Sequence, residues 1–106
     1  MKTKFLSNLG LAMRAGKLVT GDEGVMAAVK SGDAKLVIVA EDASDNTRKK
    51  MNDKCRSYRV PIMEFGSRDE LGQSIGKAER VVIAVTDKGF AQMLEKCRET
   101  TGGVRD

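Results

Sequence analysis

Gly21-Asp22-Glu23 stands where a short apolar stretch, Lys17 to Thr20, gives way to a helical pattern, so a helix N-terminus with glycine beside it is expected there. Such a terminus presents amide N–H groups that a phosphate or a base edge approaches closely. Asp22 and Glu23 suit the positive end of the helix dipole but repel phosphate, so contacts through their carboxylates would go to base donors such as the guanine edge. The same residues have a structural reading. Thr20-Gly21-Asp22-Glu23 has the form T-x-x-E of a capping box, in which the threonine hydroxyl and the glutamate satisfy amides at a helix start.

Asp42 and Asp87 each follow an apolar run, as the metal-binding acids of a phosphoacceptor receiver domain do, where magnesium takes one or two carboxylates plus phosphate oxygens. Such domains open with a strand carrying paired acids, whereas this chain opens with a helical pattern, and Asp87 is well placed to cap a helix. Gly72-Gln73-Ser74-Ile75-Gly76-Lys77 fails as a phosphate loop: three residues separate its glycines instead of four, and Ala78 follows where serine or threonine is needed. The chain has no histidine, which removes Ser-His and Cys-His nucleophile pairs and imidazole metal ligands. Its two cysteines, Cys55 and Cys97, lack CxxC spacing and are expected as buried free thiols. No catalytic residue, metal or cofactor is expected.

A third group is basic. Arg48, Lys49, Lys50, Lys54, Arg56 and Arg59 fall within twelve residues and would attract phosphate without regard to sequence. They also form the solvated face that any helix needs opposite an apolar stripe, here Met51, Cys55 and Tyr58. A net charge of +4 and a pI of about 9.2 suit an anionic partner, nucleic acid first.

The elements that position these groups alternate. Phe5, Leu6, Leu9, Ala12 and Met13 have helical spacing and Gly16 stops them, so a helix from Thr3 to Ala15 is expected. A short strand from Lys17 to Thr20 leads to a second helix that buries Val25, Met26 and Val29 and ends at Gly32. Leu36 to Ala40 is uninterrupted apolar sequence, the mark of a strand covered on both faces. Ser44 or Asp45 caps the basic helix, which Val60-Pro61 must end. Ile62 to Phe65 is a shorter strand, and Ser67-Arg68-Asp69-Glu70 a capping box for a short helix burying Leu71 and Ile75. Val81 to Val85 is a further buried strand, and Thr86-Asp87 caps a last helix with Phe90, Met93, Leu94 and Cys97 on one face.

This alternation predicts an α/β fold, a three-layer α/β/α sandwich around a mixed sheet of about four strands. At 106 residues and 41% apolar content, one domain spanning 1–106 accounts for the chain, with 99–106 as a flexible tail. No apolar run approaches the roughly 18 residues of a membrane span, and the N-terminus lacks a signal-peptide pattern. A cytoplasmic monomer without membrane contact is expected.

Gly21-Asp22-Glu23 before a helix, the run from Ala34 to Ala43, Val60-Pro61, and Ser67-Arg68-Asp69-Glu70-Leu71-Gly72 together resemble the ribosomal L-seven-Ae / L-thirty-e family, the kink-turn RNA-binding family. The resemblance covers about residues 5 to 97 and is strongest to the short bacterial ribosomal-protein-like members. It implies an α/β/α sandwich that binds structured RNA, a kink-turn or ribosomal RNA, with the ribosome as a further partner. The family's Gly-Thr-Asn-Glu motif, which grips sheared G·A pairs, aligns with Gly21-Asp22-Glu23-Gly24, where only the glycine matches. The family's later lysine falls on Ala27. The resemblance places a second contact region on Phe65-Gly66-Ser67-Arg68, with Lys17, Lys35 and Lys77 adding phosphate contacts around the same end. The departures at Glu23, Gly24 and Ala27 keep open a second reading, a protein-interaction module on the same scaffold.

Overall fold

The computed structural model describes the backbone of residues 2–104 and the side chains of residues 3–97. In chain order the elements are α1 (Lys2–Arg14), β1 (Leu18–Thr20), α2 (Asp22–Ser31), β2 (Leu36–Val39), α3 (Asp45–Tyr58), β3 (Ile62–Glu64), α4 (Arg68–Ser74), β4 (Val82–Val85) and α5 (Lys88–Val104). The side chains of the tail expected at 99–106 lie outside the described residues, and the backbone of α5 continues to Val104.

β2 and β4 are buried at every position because each feeds two cores. Leu36, Ile38 and Ala40 point to one face of the sheet, where Phe5 and Leu9 of α1, Leu71 of α4 and Leu94 of α5 cover them. Val37 and Val39 point to the other, against Val25 and Val29 of α2 and Met51 and Cys55 of α3. Period-two alternation of an all-apolar strand therefore supplies both layers of the sandwich, at about 1.5–3 kcal/mol for each large side chain buried. Burial in this second core pushes the Cys55 thiol up to about 11, so its reactive thiolate is scarce at neutral pH. Both cysteines are buried outside any disulfide, and Cys97 Sγ accepts from Asn8 Nδ2 at 3.2 Å.

The sheet is mixed, in the order β1-β4-β2-β3. β4 runs antiparallel to both β1 and β2, and β2 runs parallel to β3. The register fixes which loops share an end. Thr20 lies opposite Ile83, Val39 opposite Val82, and Val39 opposite Glu64. The loops after β1, β2 and β3 and the loop before β4 thus gather at one end, while Lys17, Lys35, Pro61 and Thr86 lie at the other.

Two helix boundaries depart from expectation. The box from Thr20 to Glu23 does not form: Gly21 is the N-cap of α2, and no side chain caps the helix. Gly21 turns at φ 89, leaving Thr20 in β1, and the Thr20 hydroxyl accepts a hydrogen bond from Arg80 Nε at 3.3 Å instead. At the end of α3, Tyr58 is 47% exposed, because the stripe of Met51 and Cys55 runs past the edge of the sheet there. The box at Ser67 and the caps at Ser44 and Gly32 form as expected.

Arg59 closes α3 in the left-handed region, at φ 58 and ψ 43. A side chain there is disfavoured by about 1 kcal/mol relative to glycine. Arg59→Gly is expected to stabilise the fold by about 0.5 kcal/mol once the greater freedom of glycine in the unfolded chain is subtracted. Urea unfolding of the two proteins checks this.

Candidate nucleic-acid interface

The uncapped start of α2 lies at the sheet end where the four loops gather. Helix geometry leaves its first amides without intrahelical partners, and Gly21, Asp22 and Glu23 are all exposed. The cations here are held differently from one another. Lys50 Nζ lies 3.2 Å from Asp22 Oδ2, across the groove between α2 and α3. Arg48 spans the β2–α3 loop, donating to the carbonyls of Glu41 and Ala43 and lying 3.2 Å from both Asp45 and Glu64 carboxylate oxygens. These pairs are exposed or half-exposed and add little stability, but they neutralise the cations they involve.

Arg80 joins the two predicted contact regions. Its backbone N–H donates to the Arg68 carbonyl at 3.0 Å, and its side chain donates to Thr20, beside Gly21. Nη1 donates to the carbonyls of Ala78 and Glu79, which leaves Nη2 without a partner among the described residues. Among the described residues no carboxylate pairs with Arg80. The loop from Gly76 to Arg80 is folded back over α4, with Lys77 N–H donating to the Gly72 carbonyl at 2.9 Å, so exposed Lys77 stands at this end too.

Of the residues singled out in the sequence, the fold brings Gly21, Asp22, Glu23, Gly66, Ser67, Arg68 and Lys77 to this end, but not all as surface side chains. Phe65 is 8% exposed, and its ring stacks on Phe5 with centroids 3.9 Å apart. It is a core residue, because β3 turns its ring inward beneath α1. Gly66 is buried and accepts from Glu41 N–H, and Ser67 caps α4. Arg68 donates to the Asp42 carbonyl at 2.7 Å and lies 3.7 Å from its carboxylate and 3.9 Å from that of Glu79. This loop therefore shapes the surface and offers few free groups.

Lys17 and Lys35 do not belong to the same end. Lys17 precedes β1 and stands four residues, roughly 13 Å, from Gly21 along an extended chain. Lys35 Nζ donates to the Gly32 carbonyl at the far end of α2. Asp42 and Asp87 follow strands that run antiparallel, so they too lie at opposite ends of the sheet and cannot share one ion. Asp42 holds Arg68, and Asp87 accepts from Phe90 N–H at the start of α5.

Arg80 was not singled out from the sequence. Its signal is a lone arginine between a glycine-bounded loop and a buried strand. That signal acquires meaning only when β4 is known to pair with β1, and periodicity does not specify pairing.

Among curated proteins, the chain is 55% identical over 86 residues to the RNA-binding protein YlxQ of Bacillus subtilis (strain 168), covering 81% of this chain and 86% of that one. It is 30% identical over 89 residues to the large ribosomal subunit protein eL30 of Aeropyrum pernix, covering 82% and 89%. Among solved structures, a protein of unknown function from Bacillus halodurans is 52% identical and superposes with a TM-score of 0.86 over 88% of this chain and 94% of that one. An RNA-binding protein from Giardia lamblia shares the fold at 22% identity, with a TM-score of 0.76 over 89% of this chain and 84% of that one. The model of the ribosomal protein L7Ae/L30e/S12e/Gadd45 family matches residues 3–95, which is most of the sandwich, and the chain belongs to that family.

Proposed function

We propose that this protein binds structured RNA as a cytoplasmic, ribosome-associated monomer, without catalysis, and that its target is a kink-turn or a ribosomal RNA element of similar shape. The observation that carries the reading is the start of α2: a helix terminus with no side-chain cap, opened by Gly21, with Arg80 fixed alongside. The relative at 55% identity is called an RNA-binding protein, which supports the same class of ligand. Asp22 and Glu23 meet base donors, the first-turn amides meet acceptors, and Lys77 and Arg80 meet phosphate. Gly66 to Arg68 hold the loop beneath Arg80 in place.

A gel shift tests the reading, using a kink-turn hairpin and a matched hairpin without its tandem G·A pairs. At about 50 mM salt the kink-turn is expected to bind, and affinity falls steeply as salt is raised because phosphate contacts release counterions. Absence of binding to either hairpin at that salt would favour the protein-interaction module, the reading raised by Glu23, Gly24 and Ala27.

Glu23→Gln separates a contact from a bystander. Glu23 caps nothing in the fold, so stability is expected to change by less than about 0.5 kcal/mol in thermal unfolding. RNA affinity is expected to fall by about 1–3 kcal/mol, since the carboxylate accepts from guanine donors and glutamine meets them with one acceptor fewer. Equal affinity for the two proteins would remove Glu23 from the interface.

A further inference from the structure

The sheet end opposite Gly21 has a different charge pattern. β1 and β2 begin there, β4 ends there, and α2 and α3 both terminate there. Lys17, Lys30, Lys35, Arg56, Arg59 and Lys88 are all exposed at this end. The acids nearest them in sequence are Asp33, Asp53 and Asp87; Asp53 pairs with Lys49 and Asp87 is engaged in capping α5. None of the six cations enters an ion pair among the described residues. At the Gly21 end, by contrast, Arg48, Lys50 and Arg68 each face a carboxylate, and Lys77 and Arg80 do not among the described residues. A solvated helix face has no need to collect unpaired cations at one pole.

An aromatic ring stands among them. Tyr58 lies between Arg56 and Arg59 and is 47% exposed, with Leu11 one of two such large apolar side chains among the described residues. α2 and α3 start at the same sheet end, tied by Lys50 and Asp22. Eight residues further along each helix, about 12 Å, come Lys30 and Tyr58 in the last turns, so both stand at this end of the sheet. Arg59 occupies the left-handed position that closes α3 there, at φ 58.

We infer that this far end is a second RNA surface that takes a single-stranded segment. A base stacks on Tyr58, and the flanking phosphates lie on Arg56, Arg59, Lys30 and Lys35. Every base has a π-face, so a ring set between cations serves single strands of any sequence. A duplex or an acidic peptide would use the cations and leave the ring without a role. The inference rests on the chain being an RNA-binding protein, but not on the kink-turn site.

The test uses a labelled oligouridine of about ten nucleotides and, separately, the kink-turn hairpin, followed by fluorescence anisotropy. Wild-type protein is expected to bind the oligouridine at low salt and to hold it and the hairpin together. Tyr58→Ala weakens the oligouridine about fivefold or more, and Tyr58→Phe restores it. The pair Arg56→Gln and Arg59→Gln lowers the salt slope by about 1.4, the share of two phosphate contacts on a single strand. Hairpin binding is unchanged in all of these variants. The inference is overturned if wild-type protein ignores the oligouridine, if Tyr58→Ala binds it as tightly, or if the hairpin displaces it. Loss of hairpin binding by wild-type protein would instead count against the kink-turn site, so the two failures are read separately.

Discussion

Gly72→Ala is expected to destabilise the protein by about 3 kcal/mol or more, and to weaken RNA binding in the fraction that still folds. A methyl group at Gly72 would fall on the Ala78 carbonyl oxygen, with that carbonyl's carbon at 2.6 Å and the Glu79 Cα at 2.8 Å. All three atoms are backbone, so no side chain can rotate away. The loop from Gly76 to Arg80 must lift instead, and with it go the hydrogen bonds from Lys77 N–H to Gly72 and from Arg80 N–H to Arg68. Gly24→Ala is the informative contrast, since its methyl meets a single side-chain atom, Val19 Cγ1, at 2.8 Å. It should cost about 1 kcal/mol and leave the Arg80 loop seated. Chemical denaturation separates the two, and near-equal midpoints would contradict the backbone contact.

Arg80→Ala is expected to lower RNA affinity by about 2 kcal/mol, roughly thirtyfold, while stability falls by about 1 kcal/mol. The side chain holds the Thr20 hydroxyl and two loop carbonyls while keeping one nitrogen free for ligand. Its removal therefore loosens the α2 start and deletes a cation that no carboxylate offsets among the described residues. Arg80→Lys keeps the charge without the planar fork, so it should recover phosphate attraction and lose placement. Affinity should then be intermediate, with less discrimination between the kink-turn and its mismatched control. Anisotropy titrations at two salt concentrations measure both effects. Wild-type affinity in Arg80→Ala would take the α4–β4 loop out of the interface.

The layers of this fold were legible because β2 and β4 are continuous apolar runs and the helices between them are amphipathic. Ser44, Ser67 and Gly32 did what their residue types dictate at helix ends. Thr20 did not, since a capping box requires the chain to enter the helix directly, and Gly21 at positive φ redirects it. Tyr58 has the spacing of Met51 and Cys55, but spacing says nothing of where the sheet stops. Phe65, expected at the end of a strand and as an RNA contact, is instead a core side chain, because its burial depends on α1 lying across the end of β3. The site suffered most from unknown pairing. Lys17 and Lys35 lie away from Gly21 and Arg80 lies beside it because β4 is placed antiparallel between β1 and β2, and that pairing decides which loops meet.

The most direct measurement is a map of backbone amide chemical shifts in isotope-labelled protein titrated with a kink-turn hairpin that has no single-stranded extension. The largest changes are expected at residues 21–24 and 76–80, smaller ones at Ser67 and Arg68, and none at Lys17 or Lys35. Changes confined to the exposed faces of α1 and α5, or centred on Lys17 and Lys35 with the start of α2 silent, would contradict the assignment of the site to the start of α2.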